Sequence, residues 1–195
     1  MKYISLILLC IVSSLAAEDF EYSTAGTLGT PAQGGGACTN WGTCNVATVY
    51  NDTGHDLYLS QIAFPCSGPP SGPYGWVVWT DVGGINSPVD GPTTAEYYGP
   101  YTPADPDPTD PPDTYTFVDI SAAGVVIPDG NYFCFGYENT GFCGLVVYTG
   151  VYTWSWWDPY WEEDEFFDVT SLLEVYANFS SPIYRSTWGQ IKSDF

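Results

Sequence analysis

A chain of 195 residues with 23 acids against three basic side chains and one histidine has a net charge of −20, which excludes nucleic-acid phosphates and disfavours anionic membrane surfaces as partners. Charged residues make up only 13 % and aromatics reach 17 %, so Tyr, Thr, Ser, Asn and Gly must cover surface that Lys and Glu cover elsewhere. The apolar mass argues against disorder, and the wealth of Tyr, Trp, Thr and β-branched residues argues for strands and turns over helices.

Residues 1–17 have the three parts of an export signal. Lys2 is the positive start, Ile4 to Val12 the apolar core, and Ser13-Ser14-Leu15-Ala16-Ala17 the small residues that a signal peptidase reads, with cleavage expected after Ala16 or Ala17. The apolar stretch is shorter than the ~20 residues of a membrane span, and no later segment reaches that length. Cys10 follows Leu8-Leu9, whereas a lipoprotein signal places a small residue before its cysteine. The chain is therefore expected to be secreted, with no membrane span. Beyond the signal only Arg185 and Lys192 are cationic, and two cations against 23 acids leave −21.

Five cysteines survive cleavage: Cys38, Cys44, Cys66, Cys134 and Cys143. In an oxidising compartment two disulfides with one thiol left over are expected. Cys38 and Cys44 bracket a tight loop, and Cys134 and Cys143 flank a turn at Glu138-Asn139-Thr140-Gly141. A two-residue loop there would set Cys134 opposite Cys143, and a three-residue loop with a glycine bulge would set them on opposite faces. No CxxC zinc pattern exists.

Along the chain, Phe20 to Thr24 reads as a short strand before a Gly-rich stretch, and Asn45 to Tyr50 as a β-branched strand. After a turn at Asn51-Asp52-Thr53-Gly54, Asp56 to Phe64 returns, with Leu57 and Leu59 out of phase with Ile62 and Phe64. That slip predicts a bulge near Ser60-Gln61. Trp76 to Val82 reads as a buried strand. Asp90 to Asp113 holds seven prolines and six acids and reads as a long extended surface loop. Tyr115 to Ile120 resumes strand, and Ile127-Pro128-Asp129-Gly130 signals a type I turn. A hairpin of Asn131 to Gly136 with Phe142 to Thr149 is expected next, then Tyr152 to Trp157, an acidic tip, and the alternating strand Leu172 to Phe179. This is the rhythm of an all-β, antiparallel β-sandwich of jelly-roll type over residues 18–182. In the tail, residues 183–195, Ser186 is placed to cap a short helix carrying Trp188 and Ile191. The tail's cations favour docking on an acidic surface, of the chain itself or of a neighbour.

The strongest recognition feature is the run 152–161. On one strand Tyr152, Trp154 and Trp156 share a face at ~7 Å spacing, a platform on which sugar rings stack; the same face serves equally as core. Trp157, Tyr160 and Trp161 add aromatic surface beside it. Asp158, Glu162, Glu163, Asp164, Glu165 and Asp168 pack six carboxylates into eleven residues, a donor set suited to Ca²⁺ or to a solvated tip. Asp105, Asp107, Asp110 and Asp113 form a second such group without the EF-hand glycine or closing Glu. His55, the single histidine, sits in a turn with Ser60 the nearest following hydroxyl, and no GxSxG or HExxH motif accompanies it. Asn51-Asp52-Thr53 and Asn178-Phe179-Ser180 fit the glycan acceptor pattern. Together these features point to a non-catalytic module binding neutral glycan or another extracellular surface. A subunit of an extracellular fibre, pilus-like or coat assembly is the first alternative and a glycan hydrolase the second.

Overall fold

The structure, a computed structural model, describes residues 19–24, 28, 44–65, 74–84, 90–104, 114–139, 146–147, 153–157, 160–163 and 170–180. Aromatic and β-branched runs form thirteen strands among them: β1 Phe20–Ser23, β2 Cys44–Tyr50, β3 Leu57–Pro65, β4 Tyr74–Trp79, β5 Tyr97–Pro100, β6 Tyr115–Asp119, β7 Val126–Ile127, β8 Tyr132–Asn139, β9 Val146–Val147, β10 Thr153–Trp157, β11 Tyr160–Glu163, β12 Thr170–Ser171 and β13 Glu174–Asn178. Two 3-10 turns, Pro92–Thr94 and Ser121–Ala123, are the only helical pieces among the described residues.

All pairings are antiparallel. One sheet has the order β1-β13-β3-β6, with β7 also on β3; a second runs β11-β10-β2-β8-β4-β5; β9 and β12 form a two-stranded ladder. The two large sheets share one core. Alternate positions of β2, β4 and β8 (Ala47 and Val49; Tyr74, Trp76 and Val78; Phe133, Phe135 and Tyr137) meet Leu57, Leu59, Ile62, Phe64, Val118, Leu173, Val175 and Ala177 from the other sheet. Phe64 stacks on Tyr137 across the gap, with ring centres 4.6 Å apart. Each fully buried side chain of this size stabilises the fold by roughly 1.5–3 kcal/mol.

A buried polar knot joins the sheets at one end. The Thr24 hydroxyl donates to the Ser171 carbonyl at 2.8 Å and accepts the Leu173 N–H at 2.9 Å. The Ser171 N–H donates to the Thr153 hydroxyl at 3.0 Å, and the Ser171 hydroxyl approaches the Asn45 carboxamide oxygen at 3.4 Å. All four side chains are almost completely buried, so their partners offset the cost of desolvation.

The slip in β3 is a bulge. Tyr176 pairs with Gln61 but Ala177 pairs with Leu59, leaving Ser60 as the extra residue. Its hydroxyl donates to the Tyr176 carbonyl at 3.0 Å.

Other expectations are corrected. No hairpin joins 131–136 to 142–149, because β8 extends through Asn139 and is paired on both edges, with β2 and with β4. Of 142–149, Val146–Val147 pairs with β12 instead. The turn at 127–130 is displaced by one residue: the Asn131 N–H donates to the Pro128 carbonyl, and Gly130 supplies the positive φ of 81°. The start of the Pro/Asp-rich loop is ordered. Pro92–Thr94 turns, and Tyr97–Pro100 is an edge strand locked to β4, where Gly75 admits the Tyr98 ring and Gly99 admits the Trp76 ring. Phe179, expected inward, is 37 % exposed past the end of β13. Residues 105–113, the tail at 183–195 with its expected helix, and the export segment 1–17 lie outside the described residues. No helix among the described residues is long and apolar enough to cross a membrane.

Candidate functional site

The edge hairpin β10–β11 sets Trp156 opposite Trp161 and Trp154 opposite Glu163. On its other side β10 pairs with β2, Trp154 opposite Val46 and Trp156 opposite Cys44. Trp154, Trp156 and Trp161 therefore share the face of the six-stranded sheet that looks away from the common core. There they pack, half-buried, around Cys44, Val46, Val77, Trp79 and Cys134. Trp161 meets Trp79 and Trp156 edge-to-face, at 6.3 and 5.2 Å.

A turn roofs part of this face. The Trp79 indole N–H donates to the Thr94 hydroxyl at 3.1 Å, and that hydroxyl donates to the Gly91 carbonyl at 2.8 Å. Gly91 has φ 89°, and a Cβ there would lie 2.8 Å from the Trp156 ring, so only glycine fits against the indole. The aromatic face is thus a second small core at its centre and a half-exposed strip at its rim. The Trp161 indole N–H is buried without a partner among the described residues.

Of the six aromatic residues singled out in the sequence, four have described side chains. Trp154 and Trp156 share a face as expected, joined by Trp161. Tyr160, opposite Trp157 in register, belongs to the other face and is 53 % exposed. Tyr152 and the Trp157 side chain lie outside the described residues. Trp79, Gly91 and Thr94 were not anticipated. They come from segments distant in the chain from residues 152–161.

Cys44 and Cys134, both disulfide candidates in the sequence, carry free thiols and are completely buried. Neither local pair is formed. Cys134 faces Thr48 and Trp79 in register, on a strand with no hairpin partner to bring Cys143 opposite. Burial pushes the Cys44 thiol well above its usual range, with the negative potentials of Cys134 and Glu138 adding to it. Burial raises Cys134 too, offset in part by the Thr48 hydroxyl and the Phe135 backbone. Both are inert, neutral packing groups. Cys38, Cys66 and Cys143 lie outside the described residues.

Of the acids proposed for calcium, Glu162 and Glu163 are strand residues of β11, opposite Ser155 and Trp154 rather than in a tip. Asp158, Asp164, Glu165 and Asp168 lie outside the described residues, as do Asp105, Asp107, Asp110 and Asp113. No three acids, histidines or cysteines are gathered for a metal among the described residues. His55 stacks on Phe179 at 4.7 Å, while Ser60 spends its hydroxyl on Tyr176. Asn51 is fully buried, its amide donating to the carbonyls of His55, Ile127 and Pro128, so in the folded protein it is no glycan acceptor. Asn178, at the end of β13, is half-exposed.

Compared with known protein families, with curated proteins and with solved structures, the chain matches none.

Proposed function

We propose that this chain is a secreted, non-catalytic β-sandwich of jelly-roll type that binds neutral glycan through the outer face of the β10–β11 hairpin. The observation that carries the reading is a strip of three half-buried tryptophans, Trp154, Trp156 and Trp161, on the sheet face turned away from the shared core. Indole faces held at a sheet edge by a packed base match the flat apolar faces of pyranose rings, and neutral sugars escape the repulsion that a net charge of −20 imposes on anions. Calcium held by the acids that follow β11, Asp164, Glu165 and Asp168, belongs to the same proposal as a stabiliser of the module.

The test is affinity for a panel of neutral polysaccharides. Trp154→Ala should weaken binding by roughly 1–3 kcal/mol at an unchanged fold, because Trp154 sits on the rim rather than under the Gly91 turn. Binding that survives alanine at both Trp154 and Trp161, or a wild-type protein that retains no neutral glycan, removes the reading.

A further inference from the structure

Among the described residues β1 is held by one neighbouring strand. It is the end strand of its sheet and pairs with β13 alone, Phe20 opposite Ala177 through Ser23 opposite Glu174. Phe20 and Tyr22 lie against the shared core, Tyr22 edge-to-face with Phe135 at 6.5 Å, and Thr24 closes the strand in the polar knot. A strand removed from this seat leaves the backbone groups of β13 open beside an apolar strip of Leu173, Val175 and Ala177. Such an edge pairs with any strand whose alternate side chains fit.

The chain connection makes that exchange local. Thr24 and Asn45 both reach Ser171, so the nineteen residues 25–43 leave and return at one place. Lifting β1 away breaks its ladder with β13, its packing on the core and the Thr24 bonds to Ser171 and Leu173. Nineteen residues, six of them glycine, span at most roughly 65 Å, which reaches the same seat on an adjoining molecule.

We propose that β1 is an exchangeable strand, and that its seat on β13 is an assembly site for the β1 of a second copy of this chain. The partner is fixed by identity: the Phe-x-Tyr-x-Thr alternation that fills the seat from within is presented in the same form by every copy. A tether of this length holds its own strand at an effective concentration in the millimolar range, so dilute protein is monomeric. Exchange sets in where copies are crowded, and salt promotes it by screening the repulsion between bodies of charge −20. This assembly site is independent of the glycan face on the other sheet.

The test uses full-length mature protein. Asp19 is exposed, its carboxylate accepts the Phe179 N–H at 2.9 Å, and it lies one register step beyond Phe20, opposite Asn178. The double variant Asp19→Cys/Asn178→Cys should form a bond between positions 19 and 178 within one chain when dilute. A mixture of the two single variants should form the same bond between chains, mapped by mass spectrometry, in a yield that rises with protein and salt. Adding Phe20→Asp and Tyr22→Asp to the Asp19→Cys copy should cut that yield at least tenfold. Failure of the double variant to close overturns the seat itself. Closure of the double variant with no interchain bond at millimolar concentration overturns the exchange, as does an interchain bond indifferent to the two aspartates.

Discussion

The outer face of the six-stranded sheet and that of the five-stranded sheet bury ionisable groups under different cover. On the first, Cys44 and Cys134 lie beneath tryptophans with no charge to satisfy, and indole area alone suffices. On the second, Glu174 is fully buried although its strand position points away from the core. The Tyr176 hydroxyl donates to its carboxylate at 2.6 Å, and the Tyr115 hydroxyl lies beside the same group. Around them Ala63 and Leu172 are closed off, while Phe117, in ring contact with Tyr115 and Tyr176, stays 51 % exposed. A thiol is buried cheaply as a small hydrophobe, whereas a carboxylate must bring donors with it. The first face accordingly has apolar packing and close backbone approach, and the second a hydrogen-bonded centre with an aromatic rim.

The largest expected effect tests that close approach. In Gly136 of β8 a Cβ would lie 2.0 Å from the Asn45 carbonyl oxygen and 2.8 Å from the Val46 Cα, both backbone atoms that cannot rotate away. Gly136→Ala should cost about 3–5 kcal/mol or prevent folding, read as the urea midpoint. No strand of the five-stranded sheet contains a glycine, so its backbones are not held that closely. A loss under 1 kcal/mol would erase this side of the contrast.

Alkaline pH should separate the two faces next. Burial raises both thiols on one face; on the other, burial and then the Glu174 charge raise Tyr115, and burial with the Glu174 hydrogen bond and charge raises Tyr176. Groups whose folded pKa exceeds the unfolded value stabilise fully below the unfolded value and lose that contribution as pH rises past it. Stability should fall from about pH 8.5 as the thiols of the unfolded chain ionise, and again from about pH 10 for the tyrosines. Urea midpoints between pH 7 and 11 check this. Cys44→Val with Cys134→Val should flatten the first fall and leave the second, and Tyr115→Phe should reduce only the second. A first fall that persists in the thiol variant detaches it from the tryptophan face.

The smallest effect concerns calcium at the acids of residues 158–168, whose like charges repel until a cation neutralises them. At matched ionic strength, millimolar Ca²⁺ should raise the melting midpoint over chelator by about 1–3 °C. Equal midpoints make those acids solvated surface and leave the aromatic strip to act without an ion.

What the sequence determined by itself is the strand character and its phase. Leu173, Val175 and Ala177 alternate inward as written, and the one-residue slip between Leu59 and Ile62 is the bulge at Ser60. These are local properties, because the period of two and the cost of misplacing an apolar side chain are set within a few residues. Which strands become neighbours was decided only by the tertiary structure. The turn chemistry at 138–141 argued for a hairpin, yet β8 took β2 and β4 as partners, because Phe133, Phe135 and Tyr137 bury most completely in the middle of a sheet. The same choice left Cys134 and Cys44 as free thiols and put Gly91 against Trp156. Glu174 was readable as outward-facing but not as buried, since its cover depends on Tyr115, more than fifty positions away. Half of the aromatic site was visible in residues 152–161. The other half, Trp79 and the Gly91–Thr94 turn, was not, because contacts between distant segments are selected by the packing of the whole and leave no periodicity in the chain.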